Sequence, residues 1–178
     1  MIIIDQQTGD VIWHLDSTVV AQQHNATELP NGNILVSPKA RDRADDQIFD
    51  NGAFRHGESF QFSRGIEVDR ETKKIVWEWT ALPKVSQAMH HEQLTHLQES
   101  FYSPFMGSAQ RLPNGNTLLC ESACCRLLEI NGKNEVCWEY VCPYFSQYPE
   151  PAARDFFPAE SNALFRAYKY APEEIPWL

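Results

Sequence analysis

The pentapeptide Leu-Pro-Asn-Gly-Asn occurs twice in this chain of 178 residues, at positions 29–33 and 112–116. Asn-Gly accepts the positive φ angles of a tight hairpin, and strand-forming residues flank both copies: 27–29 with 34–36, and 110–112 with 117–120. Each copy therefore predicts one β-hairpin. A second strand pair recurs after each hairpin. Residues 65–69 turn through 70–74 into 75–79, and residues 126–130 turn through 131–134 into 135–140. The chain opens on the same design, 2–5 turning through 6–10 into 11–15. Tryptophan marks the last strand each time, at Trp13, Trp77 and Trp138, with spacings of 64 (13 to 77) and 61 (77 to 138). Recurrence on this scale is the mark of a blade-by-blade β-architecture, and these spacings exceed the ~40 to 50 residues of a bare blade. Segments have been inserted between strands.

The fold class predicted is all-β, a partial β-propeller of four-stranded antiparallel blades with a short helical insert. It is read as a single domain. Residues 1–15 are the trailing strands of one blade, 22–80 a blade with an insert at 37–48, 86–100 a helical insert, 105–142 a second blade and 143–178 a C-terminal wrap. The insert at 37–48 is charged, carries Pro38 and lacks strand alternation, whereas 86–100 has helix formers, no Gly or Pro, and Met89, Leu94 and Leu97 as a narrow apolar stripe. The wrap is rich in Pro and aromatic residues and offers one more strand candidate at 163–170. A propeller needs ~4 to 8 blades, so other copies of the chain would have to complete a ring, or the propeller is partial. The first case predicts a homo-oligomer.

A hydrophobic content of 43% describes a chain that folds, and a net charge of −9 with no basic run excludes nucleic acid as a partner. No stretch approaches the ~20 apolar residues of a membrane span, and Met1 to Ile4 is too short an apolar run for a secretory signal, which predicts a cytoplasmic protein. Five cysteines, two of them adjacent at Cys124 and Cys125, suit reduced thiols better than a disulfide framework. Paired Cys-x2-Cys spacing is absent, so no zinc site is assigned. Cys137 takes the position of Val76 and Ile12 in the other copies, which predicts that it packs as a small apolar residue.

Residues 91–96 nearly spell the zinc-protease motif HExxH, but His91 and His96 are five apart, which on a helix turns the second ligand about 140° from the first. No metal and no cofactor is assigned. Asp42, Asp45, Asp46 and Asp50 lack the spacing of a calcium loop and read as a solvated acidic loop, with Asp50-Asn51-Gly52 as a turn. His24 falls on the first strand of its blade, where propeller side chains converge on a central channel; the plainer reading is a histidine packed at a strand start. Arg64, at the start of a third strand, has a guanidinium able to hold a sulfate or carboxylate through two parallel hydrogen bonds, or to lie in a surface salt bridge.

The segments QHNATELPNGNILV, FDNGAFR, SRGIEVDRETKKIVWEW, FYSPFMGSAQRLPNGNTLLCES and RLLEINGKNEVCWEY together resemble the arylsulfotransferase family, whose members are β-propellers. The resemblance covers most of residues 1–170 outside the two inserts. It implies transfer of a sulfuryl group from an aryl sulfate to a phenol without a nucleotide donor, through a sulfated histidine, with further His and Arg residues on the sulfate. His24 and Arg64 match the family's sulfate-binding His and Arg, and would be substrate-binding. The nucleophile has no match: with one pentapeptide set on the other, the position equivalent to His24 is Gly107. The catalytic residue is therefore unassigned. Two functions remain, an arylsulfotransferase-like enzyme acting on an aryl sulfate and a phenol, or a non-catalytic propeller module that binds a small molecule or protein.

Overall fold

A computed structural model describes residues 1–27, 48–50, 62–81, 101–156, 159–175 and 177. Among these, ten strands form three antiparallel sheets. The N-terminal sheet pairs β1 (Ile2–Ile4) with β2 (Val11–His14). The middle sheet holds β3 (Gln23–His24), β4 (Ile48–Asp50), β5 (Arg64–Val68) and β6 (Ile75–Trp79). The C-terminal sheet holds β7 (Ser108–Arg111), β8 (Thr117–Glu121), β9 (Arg126–Ile130) and β10 (Val136–Val141). Both four-stranded sheets run as meanders, with spatial order equal to chain order. Helix is confined among the described residues to α1 (Pro151–Phe156) and two 3-10 turns.

One turn design closes the last hairpin of every sheet. The amide of Asp5 donates to the Asp10 carbonyl at 2.8 Å, that of Asp69 to Lys74 at 2.9 Å, and that of Asn131 to Glu135 at 2.9 Å. The side-chain Oδ1 of each first residue then accepts amides inside the turn: Gln7 and Thr8, Thr72, and Lys133 with Glu135. Short Asx side chains make this backbone mimicry possible. A left-handed residue ends each turn, Gly9 (φ +77°), Lys73 (φ +57°) and Asn134 (φ +63°). The second pentapeptide forms the β7–β8 hairpin, with Gly115 at φ +84° and the Leu112 amide on the Asn116 carbonyl. Only the glycine of its Asn-Gly pair is left-handed, as in a three-residue hairpin loop.

The first pentapeptide, the remainder of the 37–48 segment and the helix expected at 86–100 lie outside the described residues. Two expectations near them are corrected. Ile48 and Asp50 belong to a strand, not to an insertion and a turn, because β4 is held in a ladder on both sides: Gln23↔Asp50 and His24↔Phe49 on one, Phe49↔Gly65 and Asp50↔Arg64 on the other. The strand candidate at 163–170 forms no strand. Side chains stand in for a ladder there: Ser108 Oγ bridges the Ala167 carbonyl and amide at 3.1 Å each, and Gln110 bridges those of Lys169 at 2.9 and 2.7 Å.

The core lies in the seams between sheets. Trp13, Leu15, Val20, Ala26, Ile66 and Val68 fill the first seam, and Trp79, Phe101, Ala109, Leu119, Leu128 and Ile130 the second. Contacts across the seams repeat. The Trp13 indole N–H donates to the Arg70 carbonyl at 2.9 Å and that of Trp77 to Asn134 Oδ1 at 2.9 Å, both spanning 57 residues into the closing turn of the next sheet. Above each ring sits a cation of the next sheet, Lys73 at 5.9 Å from Trp13 and Arg111 at 5.1 Å from Trp77. Gly65 sets the approach of the second seam, since a Cβ there would stand 2.7 Å from Leu119 Cδ2.

The C-terminal segment lies on the C-terminal sheet as β7 lies on the middle one. Arg111 pairs with Glu67 at 3.2 Å and covers Trp77; Lys169 pairs with Glu129 at 2.5 Å and covers Trp138 at 5.4 Å. Asn25 donates to the Ala109 carbonyl at 3.3 Å, and Ser108 to that of Ala167. Residues 167 and 169 thus repeat the roles of 109 and 111.

Candidate functional site

Arg64 opens β5 with its side chain largely buried, and each edge of its guanidinium has a partner. Nε donates to Asp50 Oδ2 at 2.8 Å, Nη1 to Glu78 Oε1 at 3.0 Å, and Nη2 to the Val19 carbonyl at 2.5 Å. Asp50 is fully buried and also accepts the Ala21 amide at 2.9 Å. Burial works against the Arg64 charge, but the hydrogen bonds and charges of Asp50 and Glu78 outweigh it and raise its pKa. The group is a permanent cation tied to two carboxylates.

The C-terminal sheet contains a twin of this arrangement. Arg126 opens β9 as Arg64 opens β5, its Nε donates to Glu121 Oε2 at 2.5 Å, and its Nη1 lies 3.9 Å from Glu139 Oε1. Glu121 is buried, ends the preceding strand as Asp50 ends β4, and accepts a backbone amide, that of Tyr102 at 2.6 Å. Strand-start arginine, buried acid on the strand before and glutamate on the strand after therefore recur sheet for sheet. Read as a solvated loop acid, Asp50 is instead the buried anchor of the first copy, a role its Asn-Gly neighbours concealed.

His24 lies on β3 between two left-handed residues, Gln22 (φ +55°) and Asn25 (φ +48°). Its Nδ1 is 3.3 Å from the Gln22 carbonyl oxygen. The ladder sets Gln23, Asp50 and Arg64 in one cross-strand row and His24, Phe49 and Gly65 in the next. Adjacent rows of a pleated sheet face opposite sides, so His24 and Arg64, although two strands apart, are presented to different seams. Gly107, the position equivalent to His24, precedes β7 and donates its amide to the Phe165 carbonyl at 3.2 Å.

The acids Asp42, Asp45 and Asp46 and the histidines His90, His91 and His96 lie outside the described residues. Among the described residues no three or more His, Cys, Asp and Glu side chains are grouped to hold a metal ion. Of the five thiols, Cys120 and Cys125 are buried, and burial together with the neighbouring Cys142 pushes Cys125 up to about 11. Cys137 is exposed, contrary to the packing expected of it, as are Ile12 and Val76 at the same position in the other sheets. Its thiol donates instead to the Glu129 carbonyl at 3.3 Å.

No described helix is long and apolar enough to cross a membrane. Comparison with family models, with curated proteins and with solved structures returned no significant match.

Proposed function

We propose that the three sheets are blades set radially about one axis, and that the chain is a non-catalytic propeller module that works by binding. The carrying observation is the twin of Arg64. An arginine dedicated to a substrate anion has no reason to recur, with the same two carboxylate partners, in a sheet whose corresponding channel position is glycine. Arg64 and Arg126 are better understood as blade fasteners that tie three strands of a meander together. Two carboxylates beside each guanidinium also oppose the approach of a sulfate, because a third anion would have to displace a bound one. The repeated indole-to-turn contacts, Trp13 to Arg70 and Trp77 to Asn134, support the radial reading.

Sulfuryl transfer from an aryl sulfate to a phenol is the competing reading, favoured by the family resemblance around His24 and Arg64. Incubation with a nitrophenyl sulfate and a phenol acceptor distinguishes the two. No nitrophenol should appear above the uncatalysed rate. Release that disappears in His24→Ala, with that variant still folded, would overturn the non-catalytic reading.

A further inference from the structure

Two apolar faces in this chain are the two halves of one seam. The residues of the middle sheet that turn toward the N-terminal sheet include Ile66, 0% exposed, and Val68, 4%, with Ile75 packed beside them. Their counterparts 64 residues earlier (66 to 2, 68 to 4, 75 to 11) are Ile2, Ile4 and Val11, which are 51%, 52% and 56% exposed. The pairing register is the same, Ile4↔Val11 in one and Val68↔Ile75 in the other. The N-terminal sheet thus shows solvent the surface that the middle sheet buries. At the far end of the chain, Trp138 lies on β10 opposite Glu129, as Trp77 lies opposite Glu67. Trp77 reaches the closing turn of the next sheet, whereas the Trp138 indole N–H has no acceptor among the described residues, and Trp138 and Tyr140 are 42% and 41% exposed.

The cation that covers Trp138 is already in place, because Lys169 repeats Arg111. What the seam lacks is a closing turn and an aliphatic face. The β1–β2 hairpin carries both: the Asp5 to Asp10 turn has the hydrogen bonds of the turns that Trp13 and Trp77 reach, and Ile2, Ile4 and Val11 stand beside it.

We infer that the Trp138 face of one copy receives the β1–β2 hairpin of a second copy, repeating between molecules the seam made twice within each. The partner is given by continuity with those seams and is independent of whether His24 or Arg64 meets an anion. The contact is head to tail, so it closes only if the rotation permits. Two copies closing on each other bring 2 × 3 = 6 sheets around one axis, within the ~4 to 8 blades of a propeller. In the joint sheet, residues 165–169 of one chain take the inner place and β1 and β2 of the other the outer ones.

The test is sedimentation across a range of concentrations, with Ile4→Glu on the head face and Trp138→Glu on the tail face. The unmodified chain should sediment as a dimer, and each variant alone should associate about tenfold more weakly or worse, as loss of a central contact does. An equimolar mixture of the two variants should recover association, since each keeps the face the other has lost. Both side chains are half exposed within the chain, so folding should survive; if circular dichroism shows otherwise, Ile2→Lys and Tyr140→Lys replace them. A monomer at every concentration, a dimer indifferent to both variants, or a mixture that stays monomeric would each overturn the inference.

Discussion

At the scale of single residues, the chemistry of this chain concentrates in arginine. Arg64 neutralises a carboxylate that has no exposure of its own, and its removal would leave Asp50 buried with only its remaining hydrogen-bond donors, the Ala21 amide among them. Stripping one partner from a buried ion pair costs about 3 to 5 kcal/mol. Arg64→Ala should therefore lower stability by roughly 3 kcal/mol in urea unfolding, and Arg126→Ala by a comparable amount, because Glu121 is buried in the same way. Inorganic sulfate should raise the midpoint of neither variant nor of the parent chain beyond its general salting effect. Stabilisation by sulfate that Arg64→Ala alone abolishes would show that the guanidinium serves an anion after all. The twin was visible in the sequence, since Arg126 heads RLLEI as Arg64 heads RGIEV. The acids that complete it were not, because Asp50 sits in an Asp-Asn-Gly run whose propensity favours a turn until the ladder on both sides of β4 is known.

At the scale of elements, the hairpins were legible and the last segment was not. Asx residues, Asn-Gly and alternating strands encode β5–β6, β7–β8 and β9–β10 locally, so tertiary context had little to add. Residues 163–170 alternate like a strand yet are held by Ser108 and Gln110 side chains, a choice fixed by the neighbour and not by the segment. Its chief charged tie is Lys169 to Glu129. Burial alone would raise the Glu129 pKa, but the hydrogen bonds from Lys169, Asn116 and Asn114 prevail and hold it below the usual carboxylate range. The folded chain therefore prefers the ionised form, and the stabilisation is complete above the ordinary glutamate pKa of ~4.3 and lost as pH falls through the lower folded value. In an acid titration followed by NMR, the Lys169 amide should shift toward its unfolded position only once the pH has fallen below the ordinary glutamate range. Glu129→Gln should show no such step, and identical titrations of the two proteins would remove Glu129 from that role.

At the scale of the molecule, stability should behave as a sum over neighbours, because among the described residues the two core clusters are separate. The middle sheet is packed on both sides, while the N-terminal sheet is packed through Trp13 and Ile3 on one face only. Amide exchange should accordingly be slowest in β5 and faster in β1 and β10, and uniform protection across all three sheets would point to a single cooperative core instead. Gly65 adds a constraint on how the units meet. With a leucine methyl seated where a side chain would stand, bare backbone acts as a detent: were one sheet to slip by a pleat against the other, Leu119 would ride up on an occupied position. The missing carbon leaves the space that Leu119 occupies, so the absence of an atom sets how closely the two sheets meet.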